Sequence, residues 1–115
     1  MFDVIWTDCA QETYDLLKLK ALQSRANRKQ KQKTKSTKDE GLFKQVHNTI
    51  QKLKSNTRHT GLHTHEYDDL DHPYNQNEKV FEAYAQNNTP GAYRVFWCYG
   101  PLKGQLTIIE ISPHP

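Results

Sequence analysis

The sequence is poor in cysteine and has no long apolar run. Cys9 and Cys98 are the two cysteines among 115 residues, too few for the disulfide framework that stabilises many small secreted proteins. Both have apolar neighbours, so we expect buried thiols. No apolar stretch approaches the roughly 20 residues that a membrane-spanning helix needs. The first residues lack the basic and then apolar pattern of a secretory signal, and we therefore expect a cytoplasmic protein.

Acidic residues are scarce in one part of the chain. Residues 16–59 contain 13 Lys and Arg but only two acids, whereas the remainder contains 3 Lys and Arg and 11 acids. The net charge is therefore +11 in the first part and −8 in the remainder. A basic segment of this kind suits a polyanion such as nucleic acid, although a solvated helical face is the usual explanation of a charge run.

Hydrophobic periodicity divides the chain into strands and helices. The predicted strands are Phe2–Thr7, Tyr67–Leu70, Glu78–Ala85, Ala92–Tyr99 and Gln105–Ser112. One helix is predicted from Ala10 to about Arg28 with Asp8 as its N-cap, and a second from Thr37 to near Asn56 with Glu40 completing a capping box. Turn residues at 71–77 and 87–91 separate the strands. We expect a single α+β domain over residues 1–115, in which the basic segment 27–38 forms a mobile hairpin tip.

The predicted core follows from which side chains share a face. In the first helix Tyr14, Leu17 and Ala21 recur at helical spacing, with Leu16, Leu19 and Leu22 widening the stripe. The corresponding stripe of the second helix is Phe43, Val46, Ile50 and Leu53. In the last strand, strict alternation would place Leu106, Ile108 and Glu110 on one face and Thr107, Ile109 and Ile111 on the other.

Charged groups in and after the apolar final strands need a partner or a task. Arg94 could form an interior ion pair with Glu82 or Glu110, and from the sequence alone this is about as well supported as a contact with a bound phosphate. The default interpretation of His114 is a disordered terminal residue. The histidine-rich segment contains His59, His63, His65 and His72 beside Asp68, Asp69 and Asp71. Its spacing matches no strong zinc signature, so we expect no physiological metal site.

The final hairpin also carries a family resemblance. The stretches Ala-Tyr-Arg-Val-Phe-Trp-Cys-Tyr at 92–99 and Leu-Thr-Ile-Ile-Glu-Ile-Ser-Pro-His-Pro at 106–115 resemble the strands of RelE/ParE-superfamily toxins, the small toxins of type II toxin–antitoxin systems. With the order of elements, the resemblance covers nearly the whole chain. It implies a RelE-like fold, in which a helical hairpin follows the first strand and three to four strands then form a curved antiparallel sheet. It also implies a cognate antitoxin as a partner.

The resemblance assigns roles to individual residues. Arg94 falls on the arginine that contacts the reacting phosphate of messenger RNA on the ribosome, and His114 falls on the active-site histidine of YoeB-like toxins. Glu82 could be the analogue of their glutamate base, or could orient His114. A tyrosine of these sites could be supplied by Tyr84, Tyr93 or Tyr99. The function that follows is a ribosome-dependent endoribonuclease, an mRNA interferase, without a cofactor.

Metal-free RNA cleavage needs a base for the 2′-hydroxyl, a cation for the phosphorane and an acid for the leaving 5′-oxygen. A histidine imidazole can act as the base or as the acid. An arginine guanidinium can bind the phosphate oxygens. Tyr84 would stack on a base or bind the phosphate. The side chains expected to bind flanking phosphates or nearby RNA are Arg58, His63, His65, Lys52 and Lys54.

Two other functions remain open. A ParE-like or antitoxin-binding module would poison DNA gyrase without nuclease activity. It is favoured by Glu82 and Tyr84, which occupy the middle strand where RelE-like toxins have lysines. A non-catalytic RNA-binding domain would need only the basic helices.

Overall fold

A single mixed sheet carries all the strands of the part of the chain that the structure describes. The structure is a computed structural model, and it describes residues 1–86 and 91–114. The elements are β1 Asp3–Trp6, α1 Asp8–Gln30, α2 Lys38–Ser55, a 3-10 turn Thr60–Leu62, β2 His65–Glu66, β3 Phe81–Tyr84, β4 Tyr93–Tyr99 and β5 Gln105–Pro113. The strand order is β1-β5-β4-β3-β2. Of the strand pairs formed by residues 1–86 and 91–114, only β1–β5 is parallel.

The predicted α+β class and order of elements are confirmed. The sheet has five strands against the three to four expected after the helices, because β1 joins it and β2 adds a two-residue edge. The short strand predicted at Tyr67–Leu70 is wrong: β2 lies at His65–Glu66, paired with β3. Most of the turn predicted at 87–91 lies outside the described residues. Neither described helix has the length and apolarity that crossing a membrane would take.

The helices cover one face of the sheet and form the core with it. Buried residues from α1, α2, the 3-10 turn and the strands β3, β4 and β5 meet there: Ala10, Leu17, Val46, Ile50, Leu53, Leu62, Ala83, Val95, Trp97, Leu106, Ile108 and Ile111. The α2 stripe is confirmed, with Phe43 only partly buried at its edge. The α1 stripe is too wide: Leu16, Leu19 and Leu22 are 50%, 51% and 54% exposed. Leucines lie on several sides of α1, and only the side carrying Leu17 faces the sheet.

A β-bulge in β5 changes which of its side chains point to the core. Phe96 pairs with Glu110 but Trp97 pairs with Ile108, so Ile109 is an extra residue without a partner in β4. Beyond it, Ile111 joins Leu106 and Ile108 in the core. The prediction that Glu110 shares their face is therefore wrong, because strict alternation ends at the bulge.

The helix ends show how local chemistry sets the boundaries. Thr7, not Asp8 as predicted, is the N-cap of α1: its hydroxyl accepts from the Ala10 N–H at 3.1 Å and donates to the Ile109 carbonyl at 2.6 Å. This tertiary contact favours the threonine. The exposed Cys9 follows, so its predicted burial is wrong, whereas Cys98 is buried as expected. The predicted capping box of α2, Thr37 with Glu40, is confirmed.

Glu40 also joins the two helices. Arg28 of α1 donates from Nε to both Glu40 oxygens, at 2.9 and 2.8 Å. This bond, with the Thr37 backbone N–H, lowers the pKa of Glu40 to about 2. The pair fixes α1 to α2 just before the basic tip, where neither helix has a buried residue.

Candidate functional site

Strand register brings three predicted catalytic residues together on the sheet face opposite the helices. Glu82 of β3 pairs across with His65 of β2 on one side and with Phe96 of β4 on the other. Arg94 lies two residues before Phe96 in β4, on the same face, and pairs with Tyr84. The backbone N–H of His114 donates to the Ala92 carbonyl at 2.8 Å, which fixes the tail beside the start of β4.

Glu82 is the centre of this cluster. Its Oε2 is 3.3 Å from His114 Nδ1, and its Oε1 is 3.1 Å from His65 Nε2 and 3.6 Å from Arg94 Nε. The side chains of Glu82 and Arg94 are each 1% exposed, whereas those of His65 and His114 are 48% and 42% exposed. A buried ion pair therefore lies below two imidazoles that reach solvent. We call these four residues the Glu82 cluster.

Arg94 uses only part of its hydrogen-bonding capacity within the described residues. Its Nη1 donates to the carbonyls of Tyr93 at 3.1 Å and Gln86 at 3.3 Å. Within residues 1–86 and 91–114, its Nε and Nη2 have no hydrogen-bond partner, and neither has Glu82 Oε1. The Arg94–Glu82 contact thus has ion-pair distance without hydrogen-bond geometry. Unpaired buried polar atoms are rare in folded proteins, and each one calls for an explanation.

The two histidines of the cluster are held differently. His65 Nδ1 is 3.0 Å from the His63 carbonyl and its Nε2 faces Glu82. The contact with Glu82 Oε1 has ion-pair distance but no hydrogen-bond geometry, so Nε2 is not held by a hydrogen bond among the described residues. His114 faces Glu82 through Nδ1, and among the described residues its Nε2 has no hydrogen bond. A carboxylate that holds one ring nitrogen leaves the other free for proton transfer.

Aromatic rings border the cluster. The Arg94 guanidinium lies 3.8 Å from the centre of the Tyr84 ring, a cation–π contact. The rings of His63 and His65 lie 5.4 and 5.7 Å from that ring. Of the three candidate tyrosines, Tyr84 is therefore the one that the structure places here.

Tyr67 is a neighbour that the sequence did not single out. Its ring packs on Phe96 at 4.7 Å. Burial, followed by the charges of Asp69, Glu82 and Glu110, raises the pKa of Tyr67 above its ordinary value. The face around Glu82 thus carries several carboxylates, and the Arg94 guanidinium lies beside the one at its centre.

A polar cleft adjoins the cluster. It lies between α2 and the end of β3, has a volume of about 540 Å³ and is lined in part by Lys52, His63 and Tyr84. These three were predicted to bind RNA, and the structure groups them. The amides of Gln45 and Asn48 also line it. Sequence reasoning missed both, because nothing in their spacing distinguishes them from other polar helix residues.

Other predicted residues lie elsewhere. Arg58 lines a second cavity, of about 550 Å³, with His63 and Trp97. The Lys54 carbonyl accepts from the Phe2 N–H, at the sheet edge formed by β1 and away from the Glu82 cluster. His72 turns inward and contacts the Tyr99 carbonyl at 3.2 Å, so the histidines do not gather. In the described part of the chain, no group of three or more His, Cys, Asp or Glu could hold a metal ion.

Comparison with known proteins identifies the fold. The chain matches no protein-family model and no curated protein by sequence. It is similar to the solved structure of a YoeB/ParE toxin from Agrobacterium tumefaciens, with a TM-score of 0.60 and 10% identity over 100% of each chain. The chain has the fold of this toxin. The YoeB/ParE fold agrees with the RelE-like architecture predicted from the sequence, and at this identity it establishes the fold alone.

Proposed function

We propose that the chain is a toxin-like endoribonuclease that cleaves translated messenger RNA. The observation that carries the proposal is the Glu82 cluster, in which one buried carboxylate contacts two solvent-reaching imidazoles and a guanidinium. When a 2′-hydroxyl attacks the adjacent phosphate, the reaction requires groups of these kinds: a base, an acid and a cation. The YoeB/ParE fold supports the toxin class.

The reaction uses each group once. His114 Nε2 takes the proton of the 2′-hydroxyl, and the 2′-oxygen then attacks the phosphorus. Arg94 binds the phosphorane oxygens through N–H groups that have no partner in the described residues. The bond to the 5′-oxygen breaks, and His65 donates the proton that this oxygen takes up. The products are a 2′,3′-cyclic phosphate and a 5′-hydroxyl.

The contacts of Glu82 support a positioning role. Its Oε2 contacts His114 Nδ1, and its Oε1 faces His65 Nε2 and Arg94 Nε. The carboxylate therefore fixes the His114 ring and stabilises the imidazolium that forms there. Glu82 is therefore a positioning residue, the second of the two roles suggested by the sequence.

The surroundings supply binding. Tyr84 and His63 border the cluster, and Lys52 and Arg58 line the two neighbouring cavities. The basic ends of α1 and α2 contact ribosomal or messenger RNA nonspecifically. The proposal gives the chain translated messenger RNA, the ribosome and a cognate antitoxin protein as partners, all in the cytoplasm.

The test is induced expression followed by mapping of transcript ends, with ribosomes and purified protein as the in vitro counterpart. We expect growth arrest and 2′,3′-cyclic phosphate ends. Loss of a general acid or base typically costs roughly 10²–10⁴-fold in rate, so His114→Ala should lower cleavage by that factor. His47→Gln is the matched control, because His47 contacts Tyr14 on the helical side. Undiminished toxicity of both His114→Ala and Arg94→Ala would refute the site.

Chelation offers an independent prediction. The base, the acid and the cation of the proposed reaction are all side chains, so EDTA should leave the cleavage rate of purified protein unchanged. The assay should use a ribosome-free oligonucleotide if it is cut, because ribosomes themselves need Mg²⁺. A loss of cleavage that added divalent ion restores would contradict the assignment of roles.

A second candidate, a ParE-like or antitoxin-binding module without nuclease activity, is favoured by one observation. Arg94 is fully buried, as in an interior ion pair that serves stability. Growth arrest without new transcript ends, together with inhibition of DNA gyrase supercoiling by purified protein, would select this function over the nuclease. Salt-sensitive RNA binding without either effect would select a non-catalytic RNA-binding domain.

A further inference from the structure

The second cavity lies where the helical layer ends. Its volume of about 550 Å³ falls within the roughly 300–1,000 Å³ range of small-molecule pockets. One side is formed by the segment 57–64, which follows the last residue of α2, Ser55. The other side is formed by three rings of β3 and β4, those of Phe81, Trp97 and Tyr99, which we call the aromatic wall. Trp97 stacks on Phe81 at 4.9 Å and meets Tyr99 edge-on at 4.9 Å. The aromatic wall therefore suits a flat apolar ring.

Two buried polar atoms of this cavity lack a partner. Trp97 is 1% exposed, and within residues 1–86 and 91–114 its indole N–H has no acceptor. Thr64 also lines the cavity, and its buried hydroxyl is unpaired within the same residues. Indole only donates, whereas a hydroxyl donates and accepts. Because buried polar groups are normally paired, the buried end of the cavity suits a ligand hydroxyl, which accepts from Trp97.

The exposed end of the cavity carries cationic and donor groups. Arg58, His59 and His63 line it, and all three are exposed. His59 Nδ1 accepts from the Gly61 N–H at 2.9 Å, so the ring proton is on Nε2, which is a donor. In the described part of the chain, Arg58 has no carboxylate partner, and no acidic residue lines the cavity. The exposed end therefore suits an anion.

We infer that this cavity binds a small hydroxyaromatic carboxylate. The ring of the ligand lies against the aromatic wall. Its hydroxyl is at the buried end and accepts from Trp97 Nε1, and its carboxylate faces Arg58 and His59. The inference does not depend on the proposed nuclease, because Trp97 packs in the core on the helical side of the sheet, whereas the Glu82 cluster is on the opposite face.

The indole N–H signals of the two tryptophans give a direct test by NMR of the isotope-labelled protein. Trp6→Phe assigns them, because it removes one signal. Titration with 4-hydroxyphenylacetate should move the Trp97 signal. The Trp6 signal should stay in place, because Trp6 packs on Tyr14 and does not line the cavity.

Related probes separate the two ends of the ligand. Phenylacetate lacks the hydroxyl and should bind at least about fivefold more weakly, because it leaves a buried N–H unpaired. The neutral 4-hydroxyphenylacetamide should bind roughly two- to fivefold more weakly, the range for an ion pair with an exposed cation such as Arg58. Equal affinity for the acid, the amide and the cationic tyramine would overturn the inference. An unmoved Trp97 signal in the folded protein would do the same.

Variants of the chain test the individual contacts. Arg58→Gln should remove the difference in affinity between the acid and its amide. Thr64→Val should reduce the advantage of 4-hydroxyphenylacetate over phenylacetate. Arg25→Gln is the matched control, since Arg25 is exposed on α1 and does not line the cavity, and it should leave both differences unchanged. A preference for the acid that survives Arg58→Gln would contradict the placement of the carboxylate.

A last comparison distinguishes a free small molecule from the end of another protein. The tripeptide Gly-Gly-Tyr carries the same ring, hydroxyl and carboxylate at its C-terminus. We expect it to bind more weakly than 4-hydroxyphenylacetate. Tighter binding of the tripeptide would assign the cavity to a protein tail, and the inference of a small-molecule site would be wrong.

Discussion

At the level of single residues, the Glu82–Arg94 pair makes a stability prediction that needs no assumption about function. Both side chains are buried, and removing one member of a buried pair leaves the other charge uncompensated, at a cost of roughly 3–5 kcal/mol. Glu82→Gln should therefore lower the free energy of unfolding strongly, as measured by urea denaturation. Replacing both residues, Glu82→Leu with Arg94→Met, should recover most of the loss. A double variant as unstable as the sum of the singles would show that the two side chains do not interact.

Cys98 gives a prediction about alkaline pH. Burial raises the pKa of its thiol from the ordinary 9.0 to about 11. Because the folded-state pKa is the higher one, stability is fully present below pH 9 and falls as pH rises toward about 11. The loss is at most about 3 kcal/mol, since one pKa unit corresponds to about 1.4 kcal/mol. The free energy of unfolding should be measured by urea denaturation between pH 8 and pH 11 for the parent and for Cys98→Ala. The decrease with pH that Cys98 causes should be absent from the variant.

Single residues of the site were predictable where chemistry and position agreed. Arg94 and His114 could be named because a charge in an apolar strand and a histidine after one are conspicuous, and the family resemblance gave them roles. The dual contact of His65 and the position of Asn48 in the wall of the adjoining cleft could not be named. Both depend on strand register and helix rotation, which the sequence does not specify to the nearest residue.

At the level of elements, the start of α2 offers a test of local determinants. The Thr37 hydroxyl accepts from the Glu40 N–H at 3.3 Å, and the Glu40 carboxylate accepts from the Thr37 N–H at 2.8 Å. Loss of an N-cap hydroxyl costs roughly 0.5–2 kcal/mol, so Thr37→Ala should reduce the free energy of unfolding by that amount in urea. Thr34→Ala, an exposed threonine outside any helix, is the control. Equal stability of the two variants would contradict a capping role.

Local and nonlocal elements differ in how well they could be predicted. The capping box lies within four residues, and the structure confirms it. The bulge at Ile109 arises from pairing with β4 and resets the β5 faces, so alternation alone predicted the wrong face for Glu110. The predicted burial of Leu16, Leu19 and Leu22 in α1 was wrong for a related reason. Periodicity does not tell which side of a leucine-rich helix packs on the sheet.

At the level of the whole molecule, the hairpin tip is a charged extension of an elongated body. The molecule measures 52 × 26 × 22 Å, and no residue of α1 beyond Ala21 or of α2 before Val46 is buried. The lysines Lys29, Lys31, Lys33 and Lys35 are all exposed. They are therefore free to bind phosphates without disturbing the core.

Replacing these four lysines with glutamine should weaken RNA or ribosome binding and make it less sensitive to salt. Each phosphate contact contributes roughly 0.7 to 0.9 to the slope of log affinity against log salt, so the slope should fall by up to about 3 to 4. Filter binding at several salt concentrations measures it. Lys103→Gln, in the turn between β4 and β5, is the control. An unchanged slope would mean that the tip does not contact RNA.

The parallel pairing of β1 with β5 has a consequence for how the chain is made. Thr7 and Ile109, 102 residues apart, share a hydrogen bond, and His114 meets Glu82 only once β5 has joined the sheet. Chains emerge from the ribosome N-terminus first, so β1 waits unpaired while the rest is being translated. The Glu82 cluster cannot assemble on a nascent chain that stops short of these last strands. The complete Glu82 cluster therefore forms only after the residues that carry β5 and His114 have left the ribosome.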